Sequence, residues 1–211
     1  MSDTPRLIDR YTASQRSNHW AVAILFILLA LSGLALFHPA LFWLTNLFGG
    51  GTWTRILHPF VGVLMFLLFL ILALRMIRHN GIGKSDRQWL CHVNDVINKH
   101  EERVPEVGRY NAGQKLVYWV SVICMIGLIL TGLVMWREYF SLYFSMGVVQ
   151  LASALHAIFA FVMICTIIIH IYAGIWVKGS MRAMTRGSVT AGWAWKHHHA
   201  WFRQTQKAAR K

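Results

Sequence analysis

Four long apolar runs constrain this chain more strongly than any other feature. They give predicted membrane spans at about residues 19–38, 55–78, 115–136 and 147–178, and an α-helix needs about 20 apolar residues to cross a bilayer. Charged residues make up only 14% of the 211 positions, against about a quarter in soluble domains. The sequence therefore predicts an all-α membrane protein, a bundle of four transmembrane helices in a single domain that covers residues 1–211.

The distribution of Lys and Arg predicts the orientation of these helices. Of the 21 basic residues, 19 lie before residue 19, between residues 75 and 115, or from residue 178 onward, and only Arg55 and Arg137 lie in the other two connections. Because cytoplasmic loops carry the excess of positive charge, we expect both termini, the connection 79–114 and the tail 179–211 in the cytoplasm. The net charge of +13 follows from this topology and does not indicate a nucleic-acid-binding protein.

Four of the eleven histidines lie within or at the mouth of a predicted span: His19, His58, His156 and His170. Ionisable residues in membrane segments are costly, so each is a candidate functional residue. His19 and His170 are near the predicted inner face, and His58 and His156 are near the outer face. The fourteen residues from His156 to His170 turn an α-helix by about 1400°, close to four full turns. Both side chains are therefore expected on the same side of the last span.

Two imidazoles that reach across a bundle at one depth are the ligand pair that a six-coordinate haem iron needs. No cysteine motif for covalent attachment is present, so the expected cofactor is haem b, once at each depth. Small residues that leave space for a flat macrocycle lie near these histidines: Ala23, Gly62, Ala152, Ala160, Ala173 and Gly174.

Other roles for these histidines stay open at this point. A histidine in a span can be a hydrogen-bonding partner within the bundle, although four at two matched depths favour haem. Zinc is less favoured because a pair of histidines lacks the further ligands that usually complete such a site. A proton relay would have no Asp or Glu inside a span to continue it.

The parts outside the membrane carry weaker signals. The stretch from Ser85 to His100 predicts a short amphipathic helix that has Ser85 or Asp86 as its N-cap and Trp89 on its apolar side. In the tail, His197, His198 and His199 are consecutive and could bind a metal, but consecutive residues do not share one helical face. We expect them to be exposed to solvent or lipid.

Seven stretches together carry a family resemblance: NHW (18–20), RILHPFVGV (55–63), VGRYNAGQK (107–115), TGLVMWREYF (131–140), LHA (155–157), HIYAGIWVKGS (170–180) and KHHHAWFR (196–203). In this order they resemble the gamma subunit, or cytochrome b subunit, of membrane-bound respiratory formate dehydrogenase. The resemblance covers nearly the whole chain. It departs in detail at Glu138 and Ala200, where relatives are expected to have proline.

The resemblance implies two b haems, an outer one held by His58 and His156 and an inner one held by His19 and His170. It also implies a menaquinone or ubiquinone site beside the inner haem, formed by Asn111, Gly113 and Gln114. Asn and Gln side chains can donate hydrogen bonds to a quinone oxygen. The residues alone also fit a second interpretation, in which Asn111 caps the third long helix.

The resemblance further implies the partners and the location of the chain. In the bacterial inner (cytoplasmic) membrane, a molybdopterin catalytic (alpha) subunit would oxidise formate and an iron–sulfur (beta) subunit would pass electrons to the outer haem. Three other hypotheses stay open: a cytochrome b subunit of a hydrogenase or another periplasmic reductase, a stand-alone quinone-linked oxidoreductase, and a haem-free transporter or anchor.

Overall fold

The computed structural model describes residues 6–98, 100 and 104–209. In chain order its elements are β1 (Leu7–Asp9), α1 (Ala13–Phe37), a 3-10 helix (Pro39–Phe48), α2 (Gly51–Met76), a 3-10 turn (Ile77–His79), α3 (Lys84–Cys91), α4 (Val93–Ile97), α5 (Ala112–Met135), a 3-10 turn (Ser141–Tyr143), α6 (Met146–Trp176), α7 (Ser180–Arg186), β2 (Ser188–Thr190), α8 (Ala191–His197) and α9 (His199–Ala208).

Four helical stretches are long and apolar enough to cross a membrane: Ala13–Phe37, Gly51–His79, Ala112–Met135 and Met146–Trp176. The predicted all-α membrane fold is thereby confirmed. The residues at which each span meets the bilayer, the single-domain organisation and the cytoplasmic location of the termini stay predictions. Residues 1–5 and 210–211, which form the two chain ends, lie outside the described residues.

One compact unit consists of residues 17–73 and 120–168. Many of its buried side chains are small or flexible, and they include Ser32, Ala35, Met65, Thr131 and Met163. Helices α5 and α6 come close together in this unit where Gly127 faces the ring of Phe159. A Cβ atom built on Gly127 would lie 2.4 Å from a ring carbon of Phe159, so only glycine allows this approach.

A second compact unit consists of residues 1–16, 74–119 and 169–211. In its described part, β1 pairs antiparallel with β2, and Leu7 lies opposite Thr190. The buried apolar centre of this unit is formed by Ala183, Val189, Ala194 and Trp201. The first segment of the chain is thus packed against the tail, which the hydrophobic pattern alone does not predict.

The amphipathic segment begins earlier than its sequence predicts, so the assignment of Ser85 or Asp86 as the N-cap is wrong. The N-cap of α3 is Gly83, whose backbone N–H donates to Oδ2 of Asp86 over 2.7 Å. The same carboxylate forms a salt bridge with Nζ of Lys115 at 2.8 Å. Asp86 therefore acts three residues into the helix, where its charge also suits the helix dipole. Trp89 is buried, as expected for the apolar side of this helix.

Candidate functional site

His58 of α2 and His156 of α6 face each other inside the unit formed by residues 17–73 and 120–168. Their ring centroids are 6.4 Å apart and the ring planes meet at 64°. A metal–imidazole bond is about 2 Å long and a ring nitrogen lies about 1 Å from its ring centre, so two imidazoles on opposite sides of one iron have centroids about 6 Å apart. The spacing of this pair therefore fits a shared haem iron.

Each of these two histidines has a hydroxyl partner at Nδ1. His58 Nδ1 lies 2.8 Å from Oγ of Ser32, and His156 Nδ1 lies 2.8 Å from Oγ1 of Thr131. The hydroxyls themselves donate to backbone carbonyls of their own helices, Ser32 to Leu29 over 3.2 Å and Thr131 to Gly127 over 2.6 Å. A hydroxyl has one hydrogen, so a hydroxyl that donates to its carbonyl accepts from Nδ1–H. This tautomer leaves Nε2 unprotonated, the form in which histidine binds iron.

A glycine follows each of these hydroxyl residues and lies against the histidine ring. A Cβ atom built on Gly33 would be 3.4 Å from Cε1 of His58, and one built on Gly132 would be 3.4 Å from Cε1 of His156. Sequence reasoning identified the histidines but missed Ser32 and Thr131. The signal was present, because residues 31–34 read LSGL and residues 130–133 read LTGL.

Comparison with known families identifies the class of protein to which the chain belongs. A family profile described as "Prokaryotic cytochrome b561" matches residues 10–187. The chain belongs to this family. Membership implies haem b as the cofactor, and the arrangement of His58 and His156 fits that group.

Curated relatives of this cytochrome have a more specific description. The "Formate dehydrogenase, cytochrome b556(fdo) subunit" of Escherichia coli is 44% identical over 204 residues, covering 97% of this chain and 96% of the relative. The nitrate-inducible b556(Fdn) subunit of the same species is 41% identical over 206 residues, covering 98% and 95%. A formate dehydrogenase cytochrome b556 subunit of Haemophilus influenzae is 41% identical, covering 97% and 85%. The predicted resemblance is confirmed.

The second predicted pair of haem ligands in this cytochrome is His19 and His170. His19 lies in the second turn of α1, half-buried, with its ring 5.6 Å from that of Trp20 and nearly perpendicular to it. His170 lies in the last third of α6 and is exposed. Their assignment as the ligands of an inner haem stays a prediction.

The predicted quinone residues of the cytochrome lie at the start of α5. The backbone N–H of Gln114 donates to Oδ1 of Asn111 over 2.8 Å, and the backbone N–H of Asn111 donates to Oε1 of Gln114 over 3.0 Å. These reciprocal bonds form a capping box. The interpretation of Asn111 as a helix cap is therefore confirmed. Capping uses the carbonyl ends of the two amides, whereas a quinone oxygen would need their NH2 ends.

A small cavity of about 130 Å³ adjoins this capping box in the unit that contains the tail. Its lining includes Asp86, Trp89, Tyr110, Asn111 and Lys115. Trp89 also packs against Gly113, since a Cβ atom built on that glycine would be 3.4 Å from the indole ring. The cavity combines aromatic walls with polar donors, although its volume is below the roughly 300–1,000 Å³ of common ligand pockets.

The segment before α1 carries a buried arginine that the sequence did not single out. Arg10 is 4% exposed, and its guanidinium lies 4.7 Å from the ring centre of Trp201 and 5.1 Å from that of Trp193. Arg10 donates to the carbonyl oxygen of Arg109 over 2.6 Å, and the guanidinium of Arg109 donates to the carbonyl oxygen of Arg10. Burial lowers the pKa of Arg10. These contacts join the N-terminal segment to the connection before α5.

His198 is buried in the same cluster, so the expectation that it is exposed to solvent or lipid is wrong. Its side chain is 2% exposed, and Nδ1 donates to the carbonyl oxygen of Gly108 over 2.8 Å. Nε2 lies 3.4 Å from the Arg10 guanidinium. Burial, followed by the charge of Arg10, lowers the pKa of His198 to about 3, so the ring is neutral and accepts from Arg10. Within the described ranges no three metal-binding side chains form a cluster.

Proposed function

We propose that this cytochrome is the di-haem membrane anchor subunit of a formate dehydrogenase complex. It passes electrons from an iron–sulfur subunit on the periplasmic side through two b haems to quinone near the cytoplasmic side of the bacterial inner membrane. The observation that carries the proposal is the His58–His156 pair, whose 6.4 Å ring spacing suits one iron. The names of the relatives supply the substrate of the whole complex.

At the outer site, the chain would hold the haem and orient its two histidine ligands. His58 and His156 supply two Nε2 atoms from different helices, and their Nδ1 atoms are fixed by hydroxyls. Haem bound there supplies one-electron oxidation and reduction. The surrounding apolar residues of the spans exclude water, which favours transfer of electrons without protons.

For the inner haem and the quinone, we assign His19 and His170 as ligands and Asn111, Gly113 and Gln114 as the quinone site. Support for the quinone site comes from the cavity beside Asn111 and from the amide NH2 groups, which can donate to a quinone oxygen. Menaquinone and ubiquinone both offer such an oxygen. Protons for the reduced quinone enter from the cytoplasm, and each electron that crosses the membrane is worth about 2.3 kcal/mol per 100 mV of potential.

The catalytic partners, a molybdopterin alpha subunit and an iron–sulfur beta subunit, would bind at the predicted periplasmic side. In the single chain, without partner subunits, both connections on that side expose large apolar side chains. Trp43, Leu47, Leu142 and Tyr143 are each at least 63% exposed. Such a surface suits contact with another subunit or with lipid headgroups.

A pyridine haemochrome count tests the ligand assignment. We expect two haems b per wild-type chain. His58→Ala or His156→Ala removes the outer haem, and His19→Ala or His170→Ala removes the inner one, because a single imidazole holds the iron far more weakly than two. His92 lies between α3 and α4, outside the four long helices, so His92→Ala is the matched control and keeps both haems. Two haems retained in all four ligand variants would contradict the assignment.

The complex itself decides between the proposed function and its alternatives. We expect a molybdopterin subunit to co-purify with this chain and formate to reduce the haems. Reduction by hydrogen would instead assign the chain to a hydrogenase, and quinol-dependent reduction of the isolated chain without partners would favour a stand-alone oxidoreductase. Purified protein without the Soret and α bands of haem b would favour a transporter or a structural anchor.

A further inference from the structure

We propose that Ser32 and Thr131 are positioning residues for the outer haem, which hold its two ligand imidazoles in one tautomer and orientation and thereby set its reduction potential. This inference rests on the proposed function, because it requires an iron bound between His58 and His156. It concerns residues to which neither the haem pairing nor the family resemblance assigns a role.

The first argument is the geometry of the two hydrogen-bond relays. Both Nδ1 atoms lie 2.8 Å from a hydroxyl oxygen, a distance typical of a good hydrogen bond. Ser32 is 4% and Thr131 is 8% exposed, so water does not compete for these contacts. Each hydroxyl oxygen also lies within hydrogen-bond distance of a carbonyl of its own helix, to which it can donate its single hydrogen. A hydroxyl that donates to this carbonyl accepts from the imidazole through its lone pairs.

The second argument is chemical. A histidine that binds a metal almost always donates its other ring N–H to an acceptor, and that acceptor fixes the tautomer and raises the basicity of the ligating nitrogen. A more basic imidazole stabilises ferric over ferrous iron, so it lowers the reduction potential. Ser32 and Thr131 occupy the position of this acceptor on both sides of the proposed haem.

The third argument is that the two histidines have equivalent surroundings, which are formed by separate pairs of helices. Ser32 and Gly33 of α1 flank the ring of His58 in α2, and Thr131 and Gly132 of α5 flank that of His156 in α6. In each pair the hydroxyl fixes Nδ1 while the following glycine lets the ring approach the neighbouring backbone. The 64° angle between the rings is therefore set independently from the two sides.

The test uses the full-length chain with its haems and compares Ser32→Ala and Thr131→Val with Ser32→Thr and Thr131→Ser. At a fixed solution potential, loss of the acceptor is expected to shift the ferrous-to-ferric ratio of the outer haem severalfold towards ferrous. A tenfold change in this ratio corresponds to about 59 mV for one electron. The low-spin ferric EPR signal, which responds to the angle between the imidazole planes, should change as well. The conservative variants keep a hydroxyl and should restore both readouts. Ser121→Ala removes a buried hydroxyl elsewhere in α5 and should leave the outer haem unchanged.

The outcomes separate this inference from the proposed function. Two haems whose potential and EPR signal match the wild type in both Ser32→Ala and Thr131→Val would overturn the positioning role and leave the haem assignment intact. Loss of the outer haem in these variants supports the role if Ser32→Thr and Thr131→Ser retain that haem, and contradicts it if they do not. A wild-type chain without haem at His58 and His156 would overturn the proposed function itself.

Discussion

At the residue scale, Asn111 caps a helix and is also one of the residues that we propose for the quinone site. Its carbonyl oxygen accepts from the backbone of Gln114 and caps α5, whereas its NH2 group is the end that a quinone oxygen would use. Aspartate keeps the first capacity and loses the second, and alanine loses both. Substitutions at this position therefore separate the two roles.

We expect Asn111→Asp to keep the thermal stability of the wild type, because Asn and Asp cap helices equally well. Its rate of quinone reduction by pre-reduced haem should fall about two- to tenfold, the value of one hydrogen bond. Asn111→Ala should lose the same activity and also about 1 kcal/mol of stability. Unchanged quinone reduction in Asn111→Asp would show that Asn111 is a helix cap alone.

At this scale, sequence reasoning singles out residues that are unusual for their segment. It misses residues whose environment depends on partners that are distant in the sequence. His58 and His156 were found because imidazoles are conspicuous in an apolar segment. Ser32 and Thr131 were missed because hydroxyls are common in spans and bond to their own helix. His198 was misread because its neighbours Arg10 and Gly108 are far away in the sequence, so nothing local indicates that it is buried.

At the element scale, the four long helices were predictable because their length and apolarity leave no other way to satisfy the backbone in a membrane. The strands β1 and β2 were not predictable. Each has three residues, and their pairing joins positions at opposite ends of the chain. The predicted start of α3 is too late because Asp86 is not the N-cap. Its carboxylate accepts from the backbone N–H of Gly83, which is the N-cap.

Close packing of α5 on α6 at Gly127 gives a prediction for these elements. Gly127→Ala places a methyl group 2.4 Å from the ring of Phe159, and such overpacking costs about 1–3 kcal/mol. The helix propensity gained from alanine, about 1 kcal/mol, offsets only the lower end of this cost. We expect a lower midpoint of thermal unfolding, measured in detergent by circular dichroism.

Two further variants make this result specific. Gly147 lies near the start of α6 with no atom within 4 Å of an added Cβ, so Gly147→Ala should be neutral or slightly stabilising. Phe159→Leu in the Gly127→Ala background should recover part of the loss by removing the ring. Equal midpoints for the two single alanine variants would argue against close packing at Gly127.

At the scale of the whole molecule, the division of basic residues predicts which surface faces the cytoplasm. Cys91 provides a native reporter of this orientation, because it is exposed at the end of α3 in the predicted cytoplasmic connection, whereas Cys124 is buried. A membrane-impermeant maleimide should label Cys91 in inside-out vesicles and not in intact spheroplasts. Cys91→Ser should abolish this labelling. Labelling of Cys91 from the periplasmic side would invert the proposed direction of electron flow.

The pairing of β1 with β2 has a consequence for the biosynthesis of the chain. Leu7 finds its partner at Thr190, about 180 residues later, and a ribosome that adds about 5–20 residues per second needs roughly ten to forty seconds to reach that point. Throughout this interval the first strand has no complement, however many spans have already entered the bilayer. A chain that stalls before its tail is therefore left with an N-terminal strand that has no pairing partner.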